Sequence, residues 1–212
     1  MKKNTTAQET ILITAGTVTA ELNGVNEIAK DMTLGVMNAK TISHRAGESA
    51  KGFRPITDYI EQVARDVSQA VVRISQDVSV LSRLAVSYHR YGKILKTYQC
   101  VQQEAGQAEH ASSLPPVIEN LERQAKEDRN RFLQNLEGLI FQLNEMKNSI
   151  RSSKVISTVS RVEAASSQAF RQSLEVVADD LEISTEKIRE RVMRCNQQLT
   201  TVMAQIQREG VA

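Results

Sequence analysis

Tryptophan is absent from this chain of 212 residues, aromatics together make up 4% of it, and only three prolines interrupt it. A thick globular core draws on aromatic and bulky apolar side chains, so this composition points instead to long helices with thin apolar seams. An excess of one charge is also missing. The 27 Lys and Arg are interspersed with 25 Asp and Glu, for a net charge of +2. That pattern excludes the basic stripe of a nucleic-acid binder and the charged tail of a solvating segment. No apolar run approaches the ~18 residues that a membrane helix needs. Met1-Lys2-Lys3 leads into Asn-Thr-Thr-Ala-Gln-Glu rather than an apolar signal core, so a cytoplasmic location is expected. Cys100 and Cys195 are far apart, and His44, His89 and His110 share no helix face. Neither set has a metal or redox spacing, and no metal or cofactor is expected. There is no Gly-rich phosphate loop, no H-E-x-x-H and no nucleophile elbow, so the chain does not read as an enzyme.

What the chain has is a sustained heptad pattern. Ile11, Ala15, Val18, Leu22, Val25, Ala29, Met32, Val36, Ala39, Ser43 and Ala46 alternate in steps of three and four. Phe53, Ile56, Ile60, Val63, Val67, Ala70 and Ile74 do the same, followed by Leu81, Leu84, Tyr88, Tyr91, Leu95 and Tyr98. This is the seam of a supercoiled helix. Gly47, Gly52 and Pro55 are the only breakers between the two runs, and they suit a helix end, a tight turn and a first helical turn. The first half is therefore expected to be a long antiparallel hairpin with a tight, charged tip at 45–53.

Beyond a polar linker at 102–116, ending in Pro115-Pro116, the pattern resumes at Ile118, Leu121 and Ala125. It continues through Phe132, Leu136, Leu139, Leu143, Met146 and Ile150. Two places could end this third helix. One is the polar run Arg151-Ser152-Ser153-Lys154, which lacks Gly and Pro. The other follows from sliding the first half onto the second by 121 residues. Seam positions then fall on Phe132 through Ile150, on the small residues Ser153, Ser157, Ser160, Ala164 and Ser167, and on Leu174, Val177, Leu181, Ile188 and Val202. A tip near 166–173 follows, and residues 117–212 become a degenerate repeat of the hairpin at 1–101. The expected fold is all-α: long antiparallel coiled-coil hairpins forming an elongated four-helix bundle, with both tips at one end. A monomeric pseudo-dimer or a higher homo-oligomer would satisfy it.

The tip carries a family resemblance. Ile28-Ala29, Asn38-Ala39, Arg45-Ala46-Gly47-Glu48 and Gly52-Phe53 fall without a gap on the signalling tip of bacterial methyl-accepting chemotaxis receptors, and the stretch 28–60 resembles that tip as a divergent, stand-alone homologue. Val162-Glu163-Ala164-Ala165 and Val176-Val177-Ala178-Asp179 form a fainter second echo. In the family this hairpin end binds a coupling protein, a histidine kinase and neighbouring receptors. The resemblance therefore implies partner-binding roles for Leu34, Met37, Asn38, Arg45, Glu48, Phe53 and Glu163. Lys30-Asp31-Met32-Thr33 replaces an aromatic and Gln-Thr-Asn run of the family, Ile42 replaces its tip glutamate, and Lys40, Ser43 and His44 replace alanines. The receptors' paired methylation sites are not recognisable.

Two functions fit. The first is a non-enzymatic accessory of a chemosensory array that binds coupling protein, kinase or receptor tips through its hairpin end. The second is a structural coiled-coil interaction protein of receptor ancestry that has lost kinase coupling. A small-molecule sensor fits less well, because Asp77 and the serines are the only polar interruptions of the seam.

Overall fold

The computed structural model describes residues 7–106, 108, 111–166 and 170–209. Four long helices account for most of them: α1 (Ala7–Ala46), α2 (Phe53–Ala105), α3 (Leu114–Ser166) and α4 (Arg171–Glu209). Each packs along two neighbours, α1 on α2 and α4, and α3 on α2 and α4. The chain runs up, down, up and down in an antiparallel four-helix bundle. Its core takes apolar residues from every helix, with Leu22, Ile74, Leu81, Leu136, Leu139, Leu143, Leu174, Ile188 and Leu199 fully buried. Phe53 closes the core at the tip, and Phe132 fills it near the other end.

The breakers act as their chemistry requires. Gly47 takes a φ of +58°, a left-handed conformation that glycine adopts without Cβ strain, and it ends α1. A short 3-10 segment over Gly47–Ala50 then leads into α2. Gly106 takes a φ of +51° and ends α2. The linker expected at 102–116 is shorter than that. Gln102, Gln103, Glu104 and Ala105 are good helix formers and extend α2 to Ala105, while Pro115 and Pro116 sit inside the first turn of α3. Arg151-Ser152-Ser153-Lys154 is helical, and the turn between α3 and α4 comes after Ser166. His110 and Ser167 lie outside the described residues, as do the side chains of Ser153 and Ser157.

Polar contacts tie each neighbouring pair of helices together. Between α1 and α2, Lys40 Nζ reaches Asp58 at 2.7 Å and Glu61 at 2.5 Å. Between α2 and α3, Gln142 Nε2 donates to Asp77 Oδ2 at 2.7 Å. Between α3 and α4, Arg161 Nη2 meets Asp179 at 2.9 Å and also contacts Glu182. Between α4 and α1, Arg191 and Arg194 both donate to Glu21, each at 2.8 Å. Gly24 makes the last contact possible. A Cβ at Gly24 would lie 2.6 Å from the Arg191 Cζ, so the guanidinium rests on bare backbone.

The tip half of the core is built from smaller residues. Ala29, Ala39, Ala50, Ala64, Ala164 and Ala178 are buried there with Ser43, Thr57 and Ser160. Small side chains let helix axes approach closely. The buried hydroxyls donate to backbone carbonyls: Ser43 to Ala50, Thr57 to Arg54 and Ser160 to Ile156.

At the opposite end the described helices differ in length. Helices α2 and α3 have 53 residues each, against 40 and 39 for α1 and α4. Among the described residues, about 13 of α2 and of α3 thus extend past the ends of α1 and α4 as a two-helix stem, roughly 20 Å long at 1.5 Å per residue. Arg129 sits at its base and donates to the carbonyl of Ile206 in the last turns of α4, at 3.4 Å.

Two stability measurements follow. Phe53→Ala should lower the unfolding free energy by about 3–5 kcal/mol, the range for emptying a buried aromatic site. Leu34→Ala, an exposed change, should stay within about 0.5 kcal/mol. Denaturant titrations followed by circular dichroism read both. The second concerns Glu21, whose carboxyl is held below the usual glutamate range, chiefly by the hydrogen bond from Arg194 and then by that from Arg191. A folded-state value below the unfolded one stabilises the fold above the unfolded pKa, and that contribution is lost as pH falls through the folded value. Glu21→Gln should therefore cost up to about 1 kcal/mol at pH 7, or about 2–4 °C in Tm for a chain this size. The gap between wild type and variant should close as pH drops below about 4.3.

Candidate partner-docking tip

The tip is assembled from the end of α1, the 3-10 segment and the start of α2, with the end of α3 alongside. Ser43 Oγ donates to the Ala50 carbonyl at 3.0 Å and ties the last turn of α1 to the turn that follows. Lys51 N donates to the Glu48 carbonyl at 3.3 Å, and Arg54 N to the Lys51 carbonyl at 3.4 Å. The Lys51 ammonium also meets the Glu48 carboxylate at 3.3 Å, both side chains lying in solvent. Screening by water keeps such a pair worth little, so it leaves two charges at the apex for another molecule to meet.

The seven residues singled out by the resemblance have separate fates. Leu34 and Met37 do not pad the seam; they are 61% and 57% exposed on the outside of α1. Met37 stands one turn before Lys40, on the flank that faces α2. Asn38 and Arg45 lie on the other flank. They line a groove of about 680 Å³ between α1 and α4, together with Thr41, Val176, Asp180 and Lys187. The groove has an apolar floor that includes Met32, Val177 and Leu181. Glu48 is exposed at the apex.

Two of the seven are not available to a partner in the way the resemblance implies. Phe53 is 0% exposed. It begins α2 directly after Gly52, and its ring is committed to the core, where burial of so large an apolar group outweighs any surface role. Glu163 turns inward and is half-buried against the first tip. A Cβ on Gly52 would sit 2.1 Å from its Oε2, so the carboxylate occupies the space that the glycine leaves free. Glu163 thus joins the two hairpins.

A residue without an assigned role also proves important. Lys40 stands where the receptor pattern has alanine, and it bridges to Asp58 and Glu61 of α2. Its ammonium is held above the usual lysine range, first by Asp58 and then by Glu61. Lys40 sits seven residues before Gly47, and Asp58 and Glu61 sit six and nine residues beyond Gly52. Similar distances from a hairpin turn bring opposite charges alongside one another, and that was the available signal.

The two thiols differ sharply. Cys100 is exposed on the stem, whereas Cys195 is buried and its Sγ lies 3.9 Å from the Val18 carbonyl. Burial pushes the Cys195 thiol up to about 12. Among the described residues no group of three or more His, Cys, Asp and Glu could hold a metal ion, and no helix is long and apolar enough to cross a membrane. Comparison of the chain with protein-family models, with curated proteins and with solved structures finds no match in any of the three.

Backbone strain at the apex is testable. At Gly47 there is open space for a Cβ, so only the positive φ opposes a side chain. Gly47→Ala should destabilise by about 1–2 kcal/mol, the cost of left-handed backbone for an L-residue, and Gly47→Asn by less. Thermal melts of the two variants check the order.

Proposed function

We propose that this chain is a non-enzymatic accessory of a chemosensory array, acting in the cytoplasm and docking a coupling protein, a histidine kinase or receptor tips through its hairpin end. The observation that carries this reading is the exposure of Leu34 and Met37. Two large apolar side chains in solvent beside the tip serve no purpose in the seam, and small interfaces concentrate their energy in a few apolar and arginine anchors. Arg45 and Asn38, on the neighbouring groove, supply polar contacts that fix orientation, and the planar guanidinium suits fork-shaped hydrogen bonding. A slender helical rod with its functional residues at one end resembles the working part of a receptor, and the 28–60 match falls on that end.

Phe53, Glu163 and Lys40 support a narrower form of the reading. Their side chains serve the inside of the tip, so docking falls to the outer surface of α1. The rival reading, a coiled-coil interaction protein that has lost kinase coupling, gains from Lys40, since it marks where this tip departs from the receptor pattern.

Capture of purified chemotaxis coupling protein and histidine kinase on the immobilised chain separates the two. Leu34→Ala with Met37→Ala, and Arg45→Ala alone, should leave helicity and Tm unchanged while weakening capture at least about tenfold. A wild-type chain that captures neither protein, or variants that bind as well as wild type, would leave the coiled-coil interaction protein as the correct reading.

A further inference from the structure

Two equivalent grooves of the bundle are built unlike. Under the 121-residue displacement, the groove between α1 and α4 corresponds to the one between α2 and α3. Gly35 then matches Ile156, Asn38 matches Val159 and Asp180 matches Tyr59. The fold accommodates bulky apolar side chains at these positions, so it does not require the opening between α1 and α4. Gly35 stands mid-helix, where glycine weakens α1 relative to alanine. A Cβ there would meet nothing within 4 Å, so no close neighbour demands the glycine, and its effect is to widen the groove.

Charge identifies the occupant. Arg45 lines the groove towards the tip, Asp31 and Asp180 line its middle, and Lys187 lies towards the base. Elsewhere the charges on adjoining flanks are paired across helices: Lys40 with Asp58 and Glu61, Arg161 with Asp179 and Glu182, Arg191 and Arg194 with Glu21. Among the described residues these four groove charges form no ion pair. The contacts of Glu21 with Arg191 and Arg194 set Asp180 level with residues 32–35 of α1. Arg45 is therefore about 15–20 Å further along the axis at 1.5 Å per residue. Each side chain leans towards the N-terminus of its own helix, and the helices are antiparallel, so the guanidinium and the carboxylate lean towards one another. A gap of roughly 10 Å remains between the charged ends, the length of about three extended residues. Met32, Ile42, Val177 and Leu181 make an apolar floor beneath it.

We propose that the α1/α4 groove binds a linear zwitterion. Its carboxylate meets Arg45, its ammonium meets Asp180 and Asp31, and its apolar body lies on the floor between them. An ω-amino acid and a short peptide with free termini share that chemistry. The four charges of the groove sum to zero, which suits a ligand neutral overall and selects against a simple anion or cation. Ion pairs open to water are weak, so the affinity is about millimolar. The groove shares Arg45 and Asn38 with the proposed docking surface, but a binding titration contains no partner protein, so either reading can fail alone.

Calorimetric titration of the full chain with 8-aminooctanoic acid, and separately with the tripeptide Ala-Leu-Ala, should show saturable binding of at least one. Binding of the first alone assigns an ω-amino acid, and binding of the second alone assigns a peptide. Octanoate and octylamine, or the tripeptide with both termini blocked, should bind at least about fivefold more weakly, and high salt should weaken the zwitterion as well. Asp180→Asn should weaken binding by a similar factor. Gly35→Leu puts bulk into the groove and favours the helix, so it should keep the circular dichroism of wild type while reducing affinity at least about fivefold. No saturable binding of either probe at tens of millimolar, equal binding of the singly charged or blocked compounds, or wild-type affinity in Gly35→Leu would overturn the proposal.

Discussion

A helix whose apolar residues recur in steps of three and four can bury them only along a line, and only against another helix of the same kind. Each of these four helices is 39 residues or longer. None has a second apolar face broad enough to build layers, so every helix depends on its neighbours along the bundle. The tip, the narrow core and the stem follow from that dependence. Where side chains on the line are small, as with Ala39, Ser43, Ala50, Ser160 and Ala164, the helices draw together.

Much of this pattern was legible in the residues themselves. The seam positions from Ile11 to Ser43 and from Phe132 to Ile150 are buried, and the turn at Gly47 is where the breakers sit. What a two-step seam under-reads is the width of the stripe. Helix α2 faces α1 on one side and α3 on the other, so Ala64, Val71, Val78 and Ala85 are buried as well, while Ala70, Leu84 and Tyr88 are only partly covered. Three heptad lines serve a helix with two neighbours, and two lines were expected. The linker was over-long for a related reason: polar residues such as Gln102 and Gln103 read as loop, yet they are sound helix formers once a partner helix lies alongside.

The tip was harder to read because it depends on contacts between distant segments. Phe53 lies at a boundary in sequence, but in space it is the plug of a core to which other helices contribute. Glu163 resembles a surface acid until the glycine opposite it, 111 residues earlier, shows where the carboxylate fits. Leu34 and Met37 presented the reverse difficulty. They lie off the line of Met32, Val36 and Ala39, so helical phase alone turns them outward, but the amount of their surface left uncovered depends on the neighbouring helices.

The clamp of Glu21, Arg191 and Arg194 over Gly24 has a further consequence. Displaced by 121 residues, Gly24 corresponds to Glu145, Glu21 to Gln142 and Arg191 to Ala70, so the opposite side of the bundle has no such clamp. In a bundle made from two identical hairpins, every substitution enters twice, and a glycine that admits an arginine on one side opens a gap on the other. With both hairpins in one chain, each mutation is felt once. The two halves are then free to differ, and a variant need satisfy only its own side of the rod.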